Sequence, residues 1–435
     1  MPQSAKHRFW LATLGCKVNQ YEARALAEAF AARGYAPAAD VAEADLVVLL
    51  SCAVTARAEA EGRRLTRNLV RQARPGVRVV VTGCAAVVSP RAFADLGAVP
   101  VPDKGLLARA PAEAASPSPR PAGLFPALAV TGYDRARALV KIQDGCSHGC
   151  SYCIVPSARG ASVSRPYPDI VAEARRLLAA GHHELGLTGI NLGHFGPDLS
   201  PAMTFWQLVA ALETDLTASH GNCFRLRLGS LDPAMLTEEG LDVLAASRSV
   251  CPHLHISLQS ADPETLTAMR RRPGDAAAVS SFVDKMRMKW NRPALGLDIL
   301  TGFPGESEAA CAATAAFLAA MPITYAHVFP YSRRPGTPAA AMAGQVGKEA
   351  KTERAKALRA IAAAKSAAFL GELAAAPQLT VAIERTAPAA GTCEAYVDCR
   401  FATAPDAPLG ALVAVRPVGI DGECLTVVPA AGERR

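Results

Sequence analysis

Apolar residues follow two rhythms along this chain. Short, nearly continuous apolar runs alternate with longer stretches in which apolar positions return at helical spacing. The first runs, over 8–16, 45–52 and 78–84, are read as strands. A helix follows the first, with Asn19 as its cap, Glu22 in its first turn and Gly34 near its end; another covers 55–73. Strands alternating with helices imply a parallel sheet. Residues 111–126, rich in Pro, Ala and Ser, predict an extended linker and a domain boundary. From 138 to 332 the alternation repeats six times, with strands over 138–143, 184–190, 224–229, 254–259, 295–300 and 325–330 and helices that include 169–180 and 309–320. Six units suit a partial barrel, because a closed eight-unit barrel needs more chain. A long helix is predicted over 348–373. Short β-like runs at 379–384, 395–401, 412–417 and 425–428, parted by Gly and Pro, then predict a small all-β domain. The expected class is α/β: an open parallel α/β sheet domain over 6–110, a linker over 111–130, a partial (β/α)6 barrel with its trailing helix over 131–374, and a small all-β domain over 375–435.

A length of 435 residues agrees with two or three domains, and half the residues are apolar, enough for sizeable cores. The net charge of +7 permits a polyanionic partner without requiring one. Residues 1–8 are polar and basic and lack the apolar core of a secretory signal. No apolar run is long enough to cross a bilayer, so no membrane partner is expected. Several of the twelve cysteines stand at metal-ligand spacing, which points to the cytoplasm, where thiols stay reduced.

The chemistry concentrates after the strand at 138–143. Cys146, Cys150 and Cys153 follow at Cys-x3-Cys-x2-Cys spacing, with no fourth cysteine nearby. A structural zinc site is closed by four ligands, and His148 offers itself as the fourth in that reading. A cubane iron–sulfur cluster has four irons, so three thiolates leave one iron open to a reacting ligand. In the N-terminal domain, Cys16, Cys52 and Cys84 each close a predicted strand. Ligand crevices of open α/β sheets lie beyond the carboxyl ends of strands, so these three are expected to converge. They read as a second cluster with an open iron or as ordinary buried cysteines. Barrel strand tips carry Asn191, Ser230, Asp232, Ser257 and Gln259, polar groups suited to a nucleoside and an amino-acid head group, though also to turns. Arg159 offers a fork for a carboxylate, or is a surface charge. Cys223, Cys251, Cys311, Cys393, Cys399 and Cys424 have no ligand spacing and are taken as ordinary cysteines.

The cysteine stretch at 141–156 resembles the signature of radical SAM enzymes. The words TLGCKVNQYEA, CAVTARAEA and VTGC around Cys16, Cys52 and Cys84 resemble the N-terminal domain of the methylthiotransferases. HVFPYS at 327–332 and RPGT at 334–337 resemble the same family, and the tail, with GTCEAYV at 391–397, is similar to a divergent TRAM domain. Lys17-Val18-Asn19-Gln20 looks most like the branch that modifies N6-threonylcarbamoyladenosine beside the anticodon of tRNA. The chain departs from the family pattern at Leu50-Ser51, Ala85 and Asp232, where Asn-Thr, Tyr and Glu are usual.

The resemblance implies a radical SAM barrel, a TRAM-like tail, two 4Fe-4S clusters and S-adenosyl-L-methionine (SAM). The cluster on Cys146, Cys150 and Cys153 generates the radical that takes hydrogen from C2 of the adenine. The cluster on Cys16, Cys52 and Cys84 holds or donates sulfur, and one SAM supplies methyl while another supplies the radical. Arg159, Asn191, Ser230, Asp232, Ser257 and Gln259 are the expected cofactor contacts. The implied partners are the anticodon loop of tRNA, an electron donor and a sulfur source. Isopentenyladenosine in tRNA and a ribosomal-protein aspartate are the alternative substrates, and an RNA-binding iron–sulfur protein without turnover is the alternative from another class. Over 377–435, five arginines face seven acidic residues, so recognition is expected to rest on shape and base chemistry, with gentle salt dependence. The basic residues of the 348–365 helix are read as a phosphate-facing surface or as a solvated connector.

Overall fold

The computed structural model describes residues 7–111, 123–290 and 292–430; most of the predicted linker, 112–122, lies outside them. The chain forms two compact units. The first comprises Met1–Thr131, Gln143–Arg165 and Ser332–Ala340, the second Gly132–Ile142, Pro166–Tyr331 and Ala341–Arg435.

The first unit is built on a parallel sheet in the order β2-β1-β3-β4-β5. Its strands are β1 (His7–Thr13), β2 (Tyr35–Pro37), β3 (Leu46–Ser51), β4 (Arg78–Gly83) and β5 (Val99–Pro100). β3 is buried at every position, the pattern of a central parallel strand covered on both faces. Val47, Leu49, Val79 and Val81 pack with Leu69 and Phe93 in one core cluster. Helix α1 (Lys17–Ala31) buries Tyr21, Leu26 and Phe30, and the Phe30 ring meets Phe9 edge-on at 5.2 Å. Helix α2 (Ala56–Gln72) is capped by the Thr55 side chain, which accepts from the Ala58 N–H. Asn19 does not cap α1. Cys16 holds that position, and Asn19 turns back to donate to the Leu14 carbonyl at 2.8 Å. The cause is Gly15, whose φ of +104° turns the chain earlier than the sequence pattern suggests.

In the second unit the predicted barrel strands are β6 (Arg137–Lys141), β7 (Glu184–Thr188), β8 (Arg225–Leu228) with its continuation β9 (Ser230–Leu231), β10 (His253–Gln259), β11 (Ala294–Thr301) and β12 (Tyr325–Pro330). They pair in parallel as β8-β7-β6 and β9-β10-β11-β12. The break falls at Gly229, where a Cβ would stand 2.8 Å from the Leu187 carbonyl. Leu254, Ile256, Leu258, Leu295, Leu297 and Ile299 bury one face of the β10–β11 pair. The opposite positions include His253, His255, Ser257 and Asp298.

The tail is a closed barrel of β13 (Leu379–Thr386), β14 (Ala389–Cys393), β15 (Asp398–Phe401), β16 (Leu412–Asp421) and β17 (Cys424–Pro429). The strand predicted over 395–401 begins only at Asp398. Tyr396 has φ of +64° and makes the turn, its ring stacked on His253 at 4.6 Å. Glu184 ties this barrel to the parallel strands: it pairs with Arg225 and Arg227, which also donate to the carbonyls of Thr380, Thr392, Cys393 and Glu394.

The long helix α3 (Lys348–Ala374) spends four of its cations on its own unit. Arg354 pairs with Glu306 and Glu308, Arg359 donates to the Val328 carbonyl, Lys365 to that of Met321 and Lys351 to that of Tyr331. These four residues are therefore engaged within their own unit.

Candidate cluster sites

Both cysteine sets lie in the first unit. Cys52 and Cys84 each follow the last residue of a neighbouring strand, β3 and β4, which pair Ser51 with Gly83. At Gly83 a Cβ would stand 2.5 Å from the Ser51 carbonyl, so only glycine lets the two strand ends run this close. Cys16 follows Gly15, where a Cβ would stand 2.8 Å from Cys52 Cβ and 3.1 Å from its Sγ. The three strand-end cysteines therefore converge. Burial pushes the Cys52 thiol up, the Val54 N–H draws it down, and the neighbouring thiols of Cys84 and Cys16 raise it further.

The second set sits on a loop held at both ends. Gly145, at φ of +69°, has no room for a side chain: a Cβ would lie 1.9 Å from the Ala161 carbonyl. The Cys146 N–H donates to Gly160, and Ser147 and Ser162 exchange hydrogen bonds through their hydroxyls and N–H groups. The 332–340 segment supports the loop, as the Ala339 N–H donates to the Ser151 carbonyl. That segment also grips the start of α2: Ser332 Oγ accepts from the Ala56 N–H, and Arg334 pairs with Glu59. Burial pushes the Cys153 thiol up to about 12, with Cys150, Cys146 and then Cys84 adding to the effect.

These residues fit iron–sulfur clusters. Two sets of three thiols meet the cysteine ligation such clusters use, each set leaving one iron without a protein thiolate. A bound cation reverses the effect of burial and ionises the thiols. Among the described residues no three His, Cys, Asp or Glu side chains are gathered tightly enough for a single metal ion. The thiolates of a cubane each grip a different iron, so such a set stands wider than one around a single ion.

Arg159 ends the short helix Val155–Arg159 and is 3% exposed. Its Nε donates to Cys84 Sγ at 3.3 Å, one terminal nitrogen to Glu22 at 2.9 Å and Asp144 at 3.0 Å, and the other to Asn19 at 2.7 Å and Glu22 at 3.2 Å. A guanidinium has five N–H donors, and these contacts account for all five. Burial works against its charge, and Cys84, Glu22 and Asp144 outweigh that, keeping it protonated. Lys104 adds a second cation to Glu22 at 3.2 Å. The expected carboxylate contact of Arg159 is thus made with protein carboxylates, and a cofactor carboxylate would have to displace one of them. Sequence reasoning missed Glu22, Asp144, Lys104 and the inward role of Asn19. The available signal was Asn19 and Glu22 three apart on one helix face, close after Cys16.

The other expected contacts lie in the second unit, at or just beyond strand ends. Ser230 is exposed on β9, and Gln259 closes β10 at φ of +78°. Asn191 accepts from the Gly193 N–H, and Asp232 from the Ala234 N–H and from Arg271 at 3.0 Å. Ser257 donates to Asp298 at 3.1 Å. Ser257 continues a polar line: Asp298 holds His255 Nε2 at 2.9 Å, His255 Nδ1 meets the Tyr325 hydroxyl at 3.0 Å, and that hydroxyl meets His253 Nε2 at 2.7 Å. Gly296 makes room for the Tyr325 ring, 2.1 Å from where its Cβ would be.

The chain has relatives among known proteins. Residues 8–99 match the family described as Uncharacterized protein family UPF0004, and residues 140–318 match the Radical SAM superfamily. The chain is 35% identical over 369 residues to the threonylcarbamoyladenosine tRNA methylthiotransferase MtaB of Bacillus subtilis, covering 80% of this chain and 79% of that one. It is 34% identical over 393 residues to a tRNA-2-methylthio-N(6)-dimethylallyladenosine synthase of Sphingopyxis alaskensis, covering 85% of each. Among solved structures, the radical S-adenosylmethionine methyltransferase TsrM of Kitasatospora setae matches at a TM-score of 0.57 and 17% identity, over 77% of this chain and 74% of that one, a likeness of fold. With both domains matched and close to four-fifths of the chain aligned to such relatives, the chain belongs to the radical SAM methylthiotransferase family.

Proposed function

We propose that the protein adds a methylthio group to C2 of N6-threonylcarbamoyladenosine next to the anticodon of tRNA. The family uses SAM and iron–sulfur clusters. The observation that carries the reading is the gathering of two three-thiol sets in one compact unit, with Arg159, six residues after Cys153, donating to the sulfur of Cys84. Cys146, Cys150 and Cys153 would hold one 4Fe-4S cluster, and Cys16, Cys52 and Cys84 the other. When bound, the first supplies one-electron reduction of SAM and the second a site for sulfur. The protein's own part is positional. Glycines 15, 83 and 145 set the thiols, Arg159 fixes Cys84 by donating to its sulfur, and Asn191, Ser230, Asp232, Ser257 and Gln259 offer polar contacts to SAM. The adenosine reaches the site by leaving its stack, as single-stranded RNA loops allow. An electron donor and a sulfur source complete the reaction, and the cytoplasm is the proposed compartment. No helix among the described residues is long and apolar enough to cross a membrane.

The two kinds of tRNA relative are almost equally similar, so overall identity does not choose the substituent. Lys17-Val18-Asn19-Gln20 favours threonylcarbamoyl. The test is turnover by the reconstituted enzyme on three tRNAs, bearing threonylcarbamoyladenosine, isopentenyladenosine or unmodified adenosine, scored by nucleoside mass spectrometry. Methylthio product on the first alone is expected. Equal product on the isopentenyl tRNA overturns the substrate, and no product on any tRNA overturns the tRNA reading.

A further inference from the structure

We propose that the solvent face of α2 is the surface that grips the phosphate backbone of the RNA, an inference that rests on the tRNA reading above. Between Ala56 and Arg74 the chain carries six arginines and two glutamates. The helix sorts them. Glu59, Gly62, Thr66 and Leu69 are buried and fix the inward side. Arg57, Arg64 and Arg71 recur every seven residues, so each lies about 20° from the last around the axis. Arg67 extends the same face, and all four are exposed. At about 1.5 Å per residue the row from Arg57 to Arg71 runs roughly 21 Å, long enough to meet several phosphates.

Acidic compensation on this face is small. Glu59 is turned inward and spent on Arg334 and Arg63, which leaves Glu61, paired with Arg64 at 2.6 Å. The contrast with the other basic helix is physical. On α3, Lys351, Arg354, Arg359 and Lys365 are engaged by carbonyls and carboxylates of their own unit. The tail has more acidic than basic residues. Arginine's planar fork suits phosphate oxygens, and a row of forks suits a strand. The row also begins where the chemistry lies: Thr55 caps α2 only three residues after Cys52, and exposed Val54 lies between them. RNA laid along α2 therefore reaches the strand-end cysteines.

The test uses the full-length reconstituted enzyme and an anticodon stem-loop RNA, with affinity measured across a salt series. The Arg57→Gln, Arg64→Gln, Arg67→Gln, Arg71→Gln variant is compared with the parent, with the matching four-lysine variant and with Lys348→Gln, Lys356→Gln. Each lost phosphate contact lowers the slope of log affinity against log salt by roughly 0.7 to 0.9, so the glutamine variant is expected to lose up to about 3.6. The lysine variant keeps most of the slope and the α3 variant all of it. RNA-independent SAM cleavage and the thermal midpoint stay at the parent's values, because the four side chains are exposed and none of them contacts a cysteine of either set. A glutamine variant with the parent's slope overturns the surface and leaves the substrate reading intact. An equal fall in the lysine and glutamine variants overturns the electrostatic argument. A parent enzyme that binds no stem-loop overturns the tRNA reading and the surface with it. A reduced slope together with turnover on isopentenyl tRNA keeps the surface and rejects only the substituent.

Discussion

Replacing Arg159 with methionine is the sharpest test of how the first unit is held together. The change keeps most of the side-chain length and removes five donors. Glu22 is fully buried and Asp144 likewise, so both carboxylates lose a partner without gaining water. Lys104 still reaches Glu22, and the Gly145 N–H still donates to Asp144. Removing one member of a buried ion pair costs about 3–5 kcal/mol, and the charge-assisted bond to Asn19 about 1.5–3 kcal/mol more. A loss of about 4.5–8 kcal/mol is expected, confined to the first unit. Two units need not unfold together, so a single melting temperature blurs the effect. Amide hydrogen exchange read separately over α1 and over 143–165 resolves it. Exchange there should quicken by at least a hundredfold, while β10–β12 stay at the parent's rates. A lysine at 159 keeps the charge but offers three donors from a point, and should recover only part of the protection. Loaded protein gives a second readout. A donor and a positive charge beside a ligand sulfur favour the more negative, reduced cluster, so Arg159→Met should lower the reduction potential of the cluster on Cys84. Unchanged exchange and an unchanged potential together would refute the central place given to this arginine.

Other expectations concern acid and backbone geometry. Burial pushes Glu184 up, but Arg227 and Arg225 outweigh it and hold the carboxyl at about 2, against an ordinary 4.5. Its folded value is depressed, so the stabilisation, about 3 kcal/mol, is present above pH 4.5 and fades as pH falls toward 2. Acid unfolding of the second unit should show that slope, and Glu184→Gln should flatten it while costing about 3–5 kcal/mol at neutral pH by stranding two buried arginines. Gly145→Ala should impair cluster loading on Cys146, Cys150 and Cys153, seen as lost absorbance and iron, because its Cβ meets the Ala161 carbonyl; full loading would show that the loop has slack the geometry denies.

Strand positions were legible because buried parallel strands are apolar throughout, as β3 is, and the tips of such strands mark where ligands go. The cysteine sets were legible from spacing and from local words. The Arg159 hub was not, since it joins residues 22, 84, 144 and 159 through tertiary packing that no local pattern records. The basic helix α3 stayed open between two readings for a related reason: composition counts cations but not their partners. The turn at Tyr396 defeated propensity, because a tyrosine at positive φ is held there by ring stacking on His253 and by Arg227, 5.1 Å from its ring.

The most direct measurement of the two-cluster account sets Cys52→Ala beside Cys150→Ala, each reconstituted and assayed for iron, for 5′-deoxyadenosine and for methylthio product. Cys52→Ala should lose iron from one cluster, still cleave SAM and make no methylthio nucleoside. Cys150→Ala should lose the other cluster and cleave no SAM. Product from Cys52→Ala at the parent's yield, or 5′-deoxyadenosine from Cys150→Ala at the parent's rate, would contradict the division of labour between the two cysteine sets.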